Sequence, residues 1–169
     1  MRIFIVGPMA SGKSTLGKKL AQTLNTDFID TDKEIEKKAG AEISRIFEVE
    51  GEKGFRKRER KVLNKSINKE DVVISTGGGI VTVKENRALM IDKGKVVYLK
   101  TPLEIQLKRT EKDKKRPLLA KGNKKQILET LKKERDPKYE EIADITIEQN
   151  ELKSRKTIID EIIDKLSSE

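Results

Sequence analysis

Short apolar runs recur along this chain at intervals that a helix can fill. Ile3-Phe4-Ile5-Val6, Val72-Val73-Ile74 and Val96-Val97-Tyr98-Leu99 are uninterrupted by polar residues, the pattern of strands covered on both faces. These runs predict strands over residues 2–6, 71–75 and 95–99, and two shorter stretches predict strands over 27–29 (ending at Asp30) and 145–147. Between them the period changes. Leu16, Leu20, Ala21 and Leu24 fall at helical spacing, so a helix follows the first strand as far as residue 24. Further helices are expected over 33–39, 42–49 and 54–67, with Gly40 and Gly51 as breaks, and over 84–92, ended by Gly94. Thr101-Pro102 should cap a helix over 103–110, with proline at the favoured first position. Helices over 124–135 and 151–166 complete the series, and the basic, aperiodic stretch 111–121 reads as an exposed mobile loop.

Strands alternating with helices predict an α/β fold, a three-layer α/β/α sandwich around a central five-stranded parallel sheet. No internal repeat or linker divides the 169 residues, so one domain is expected over 1–169. In such a sheet ligands bind outside the carboxyl ends of the strands. Three polar clusters follow strands directly, at 7–14, at Asp30 and Asp32, and at Gly77-Gly78-Gly79. They are expected to converge on one edge and define the site.

Composition changes this picture in two ways. The chain is 40% charged and only 34% hydrophobic, but the ordered apolar runs argue for a solvated shell around a core, not disorder. It contains no cysteine and no histidine. Disulfides, thiolate chemistry and imidazole bases are excluded, so any proton transfer falls to a carboxylate, Lys, Tyr or the substrate itself. No run approaches a membrane helix and Met1-Arg2 leads straight into a strand, so a cytoplasmic protein without membrane association is expected. The net charge of +9 fits either nucleic acid or small anions. Charges interleaved as in Glu34-Ile35-Glu36-Lys37-Lys38, and aromatics at 4%, favour small anions over a base-stacking surface.

The strongest chemical signal is Gly7-Pro8-Met9-Ala10-Ser11-Gly12-Lys13-Ser14, followed by Thr15: a complete P-loop between a strand and a helix. Its backbone N–H groups can cradle phosphates, Lys13 can reach the β- and γ-phosphates, and Ser14 can ligate Mg²⁺. Asp30-Thr31-Asp32 offers one carboxylate for a metal and one for an attacking hydroxyl, though Asp32 could equally cap the next helix. The triple glycine at 77–79 marks either a plain turn or close approach of the backbone to a ligand. Arg56, Arg116 and Arg135 suit carboxylate or phosphate binding, or could be ordinary surface residues.

Taken together, 7–15, the Phe28-Ile29-Asp30-Thr31-Asp32 run, Phe55-Arg56 with Glu59, Gly77-Gly78-Gly79, Arg116-Pro117-Leu118-Leu119 and Arg135 with Pro137 and Tyr139 resemble the shikimate kinase family. The resemblance implies a P-loop kinase of the nucleoside-monophosphate-kinase-like fold, with substrate-binding helices at about 32–63 and a mobile lid at about 111–121. It implies transfer of the ATP γ-phosphate to the 3-hydroxyl of shikimate, in the route to chorismate and aromatic amino acids. By position, Lys13, Asp32 and Arg116 are the implied catalytic residues, and Ser14 and Asp30 the Mg²⁺ site. Gly7 through Thr15, with Pro8, Met9, Ala10, Ser11 and Gly12 between them, Arg109 and Arg116 would hold the nucleotide. Asp32, Arg56, Gly77, Gly78, Gly79 and Arg135 would hold shikimate. Arg109 is expected to stack on adenine, while the loop near Gln149-Asn150 replaces a variable segment. The expected partners are ATP and shikimate, with no nucleic acid, acting on a monomer. The competing readings are a kinase for gluconate or a nucleoside monophosphate, which would lack this pocket, and a nucleotide-dependent switch or RNA-binding protein.

Overall fold

A computed structural model describes residues 1–111 and 123–169. Five strands, β1 (Arg2–Val6), β2 (Asp27–Asp30), β3 (Val72–Ser75), β4 (Lys95–Lys100) and β5 (Ile145–Glu148), form one sheet in the order β2-β3-β1-β4-β5. Each adjacent pair is parallel. The helices are α1 (Lys13–Leu24), α2 (Thr31–Ala39), α3 (Ile43–Ser66), α4 (Lys84–Lys93), α5 (Leu103–Thr110), α6 (Lys124–Ile142) and α7 (Arg155–Ser167), with a 3₁₀ turn at Ile80–Thr82.

Side chains alternate across the strands, and each face acquires its own helices. Ile3, Ile5, Val73, Val97, Leu99 and Ile147 pack beneath Leu16 and Leu20 of α1 and Ile158 and Ile162 of α7. Phe4, Val6, Val72, Ile74, Val96 and Tyr98 point the other way, towards Leu63 of α3, Met90 of α4, and Tyr139 and Ile142 of α6. A smaller cluster, Ile35, Ile46, Phe55 and Val62, joins α2 to α3 at one end. The connection from β1 heads towards β2 while that from β3 heads towards β4, so a crevice opens at the carboxyl ends of β1 and β3.

The observed elements follow the hydrophobic pattern, and the differences lie at their ends. Asp30, not Asp32, caps α2: its carboxylate accepts the Lys33 N–H, and the helix begins at Thr31. Pro102 occupies the cap position of α5 instead of the first helical one, and the Thr101 hydroxyl donates to Leu99 O instead of capping. Helix α7 starts at Arg155 because the Ser154 hydroxyl accepts the Thr157 N–H. Helix α6 continues to Ile142 through Pro137, where burial of Tyr139 and Ile142 against the sheet offsets the missing N–H. The break at Gly51 is present as a kink with positive φ (φ 73°, ψ −179°) within the 43–66 span. Among the described residues no helix is long and apolar enough to cross a membrane. The expected lid at 111–121 falls almost entirely outside the described residues.

Leu63 is fully buried between α3 and the sheet, whereas Val49 is 65% exposed. Leu63→Ala should therefore cost about 2–5 kcal/mol, and Val49→Ala no more than about 0.5 kcal/mol. Thermal or urea unfolding of the two variants checks the assignment of that face to the core.

Candidate active site

The P-loop is shaped by where its carbonyl groups go. Lys13 Nζ donates to Gly7 O (2.8 Å) and Pro8 O (2.9 Å). Met9 O accepts from Gln106 Nε2 (3.2 Å), Ala10 O from Arg109 Nη1 (2.7 Å), and Ser11 O from Gln149 Nε2 (2.7 Å). Gly12 O accepts the Leu16 N–H at 2.9 Å, the first turn of α1. Every carbonyl from Gly7 to Gly12 is thus engaged. Gly12 itself is left-handed (φ 83°), as is Ala10 (φ 63°), and these turns let the chain curl around its own amides. The α1 N-terminus adds positive potential at the same point.

Two acidic positions stand beside the loop. The Ser14 hydroxyl donates to Asp30 Oδ2 at 2.6 Å, while Asp30 Oδ1 takes the Lys33 amide. Asp32, the second residue of α2, faces Gly77, where an added Cβ would sit 2.7 Å from its Oδ1 and 2.9 Å from Glu59 Oε2. Gly77 N–H donates to the buried Thr31 hydroxyl (3.1 Å), which fixes the triple glycine to the Asp-Thr-Asp turn. A Cβ on Gly79 would collide with Arg56 Nη2, so the guanidinium rests against that backbone. The Tyr139 hydroxyl holds Gly78 O at 2.5 Å. The triple glycine is a turn that side chains of the protein itself approach closely.

Arg56 donates to Glu59 Oε1 at 2.9 Å and lies 3.4 Å from Glu52. Glu59 is fully buried. Its pKa is pushed up to about 7 by loss of water, with nearby Asp32 raising it further and Arg56 and Arg135 opposing the shift. Burial likewise raises the Tyr139 hydroxyl. Arg135 is also buried, and its Nε has no partner among the described residues.

These groups line two cavities. One, of about 450 Å³, runs over residues 9–16 to Arg109, Gln149 and Lys153. The other, of about 560 Å³, is bounded by Asp32, Arg56, Glu59, the three glycines and Arg135. Met9, Ser14, Asp32 and Gly78 belong to both, so the cavities meet there. The structure brings together all the sequence-predicted site residues except Arg116, which lies outside the described residues. Arg109 is directed at the Ala10 carbonyl.

The donors near Ser14 fit a hard cation. A hydroxyl and a carboxylate are adjacent, and among the described residues no group of three or more acidic, His or Cys side chains could cage a metal alone. That donor set suits Mg²⁺ completed by phosphate oxygens and water.

A family model for shikimate kinase matches residues 9–167. The chain belongs to the shikimate kinase family. It is 52% identical over 167 residues to shikimate kinase of Histophilus somni (strain 2336), covering 98% of this chain and 95% of that protein. Shikimate kinase 1 of Pectobacterium atrosepticum is equally similar, 52% identical with 98% and 96% covered. Among solved structures, a shikimate kinase from Acinetobacter baumannii in complex with shikimate has a TM-score of 0.95 at 47% identity, covering 99% and 93% of the two chains. The Aquifex aeolicus shikimate kinase has a TM-score of 0.86 at 40% identity, with 99% and 97% covered. A deoxyadenosine kinase from M. mycoides, at 17% identity and TM-score 0.65, shares the fold.

The sequence assigned no task to Glu59, Thr31 or Gln106, although the first two stand within the stretches that carry the family resemblance. Gln149, one residue beyond β5, could have been found from its place at a strand's carboxyl end.

Because the Glu59 pKa is raised from 4.5 to about 7, its contribution to stability is fully present below about pH 4.5 and is lost as pH rises through 7. Thermal unfolding across that range should show the unliganded protein losing ground to Glu59→Gln. A difference between the two that stays constant with pH would contradict the raised value.

Proposed function

We propose that this chain transfers the γ-phosphate of ATP to the 3-hydroxyl of shikimate, giving shikimate 3-phosphate and ADP. The observation that carries the reading is the meeting of two chemically different cavities at Met9, Ser14, Asp32 and Gly78. One presents the amides of a P-loop. The other presents two arginines and an aspartate, the groups a hydroxylated carboxylate needs.

ATP places its phosphates in the P-loop, and Lys13 exchanges its contacts with Gly7 O and Pro8 O for phosphate oxygens. Ser14 and Asp30 would hold Mg²⁺, which supplies charge neutralisation on the phosphates when bound. Arg56 and Arg135 grip the shikimate carboxylate, with Gly77, Gly78 and Gly79 permitting close approach of the ring. Asp32 orients the 3-hydroxyl and accepts its proton. A weak base is adequate, since phosphoryl transfer depends mainly on positioning and electrostatics. Arg116 would bring a further positive charge from the 111–121 segment, and Arg109 would flank the base. The partners are these two small molecules, without nucleic acid or membrane, and the working form is a cytoplasmic monomer.

A coupled ADP-release assay with ATP and Mg²⁺ should depend on shikimate and respond little to quinate. ADP release that ignored shikimate would overturn the reading. Asp32→Asn should lower kcat far more than it alters ATP affinity, and an unchanged kcat would remove Asp32 from the proton-accepting task.

Gly79→Ala separates the acceptor contacts from folding. The added methyl meets the movable end of Arg56, so the protein should fold while Arg56 is displaced. The KM for shikimate should rise about tenfold or more, the scale of one charge-assisted contact, with the KM for ATP within twofold of wild type.

A further inference from the structure

Gln149 is not part of the P-loop, yet it is tied to it more closely than any motif would indicate. Its backbone N–H donates to Lys100 O at 2.9 Å and prolongs the β4–β5 pairing by one residue. The side chain is therefore launched from a fixed point at the edge of the nucleotide cavity. It is buried, with 4% exposure. Its Nε2 donates to Ser11 O at 2.7 Å and to Thr101 Oγ1 at 2.8 Å, and its Oε1 faces Arg109 Nη1 at 3.4 Å.

The orientation of this amide follows from its neighbours. Ser11 O can only accept, and Arg109 can only donate. The Thr101 hydroxyl has committed its proton to Leu99 O at 3.1 Å, so it too accepts. One nitrogen facing two acceptors and one oxygen facing a donor is an arrangement that an amide satisfies in one way round. A carboxylate there would set an oxygen against a carbonyl, and a hydrocarbon would leave a buried acceptor without a donor.

We propose that Gln149 is a positioning residue for nucleotide binding: it holds the Ser11 peptide so that the following amides face the phosphates, and it orients Arg109. This deepens the kinase reading and rests on it. Arg109 has a second anchor in Ala10 O, so the Ser11 contact is the part that Gln149 alone supplies among the described residues.

The test compares Gln149→Leu and Gln149→Glu with wild type, each first shown to be folded by thermal unfolding. Calorimetric titration with MgADP reads nucleotide affinity without any catalytic turnover, and steady-state assays read the two KM values. We expect both variants to bind MgADP about tenfold or more weakly, the scale of one lost buried hydrogen bond. The KM for ATP should rise in parallel, with the KM for shikimate and kcat at saturating ATP within about twofold. Gln149→Glu should be at least as impaired as Gln149→Leu, despite its added attraction for Arg109. MgADP affinity within twofold of wild type would overturn the proposal, as would an equal rise in both KM values. Should a variant fail to fold, Gln149→Asn, which keeps the amide on a shorter arm, takes its place under the same criteria. Failure of the kinase reading would appear separately, as wild-type protein that binds MgADP but shows no shikimate-dependent turnover.

Discussion

The site depends on how a short stretch of backbone disposes of its own polarity. A peptide group presents a donor on one side and an acceptor on the other, so turning several amides inward requires that the matching carbonyls be accommodated outward. Here six consecutive carbonyls, Gly7 to Gly12, are each taken by a donor. The donors come from α1, α5 and the end of β5, elements distant in sequence. Phosphate recognition by the motif is thus underwritten by residues outside it, and the parallel sheet is what carries them to the same place.

The acceptor side follows a different logic. It gathers the half-buried Asp32 and Arg56 around the buried Glu59 and Arg135, and buried charge is costly unless compensated. Arg56 meets Glu59 at 2.9 Å, and the two carboxylates share the surface of Gly77. Burial raises the Glu59 pKa despite the opposing charges of Arg56 and Arg135. Glycines at 77 and 79 are what allow charged groups to lie against the main chain, where any larger residue would push them away.

Much of this was legible in the sequence because the relevant signals are local. Uninterrupted apolar runs located β1, β3 and β4, helical spacing located α1, and the glycine-rich stretch declared phosphate binding. The rule that ligands bind at the carboxyl ends of parallel strands brought Asp30, Asp32 and the triple glycine to the P-loop before any coordinates. Element ends were less legible, since capping turns on which of several eligible side chains reaches an amide. Asp30 and Asp32 are equally good caps on paper, and only the position of the Lys33 N–H decides between them. The tertiary partners of the loop were legible only in part: Arg109 stood among the expected nucleotide residues, but its bond to the Ala10 carbonyl did not. Gln106 and Gln149 are ordinary glutamines until the fold places them, and the 3.2 and 2.7 Å contacts they make span 97 and 138 residues of chain.

The common wall of the two cavities has a consequence for inhibition. Met9, Ser14, Asp32 and Gly78 border both spaces, so under the proposed function a molecule carrying a phosphate-mimicking group and a polyhydroxylated carboxylate would need only a short tether to occupy both. With so short a link, capture of one end presents the other at millimolar effective concentration, and two modest affinities combine into a strong one. Such a compound would also draw selectivity from the second cavity, whose Arg56 and Arg135 lie outside the P-loop.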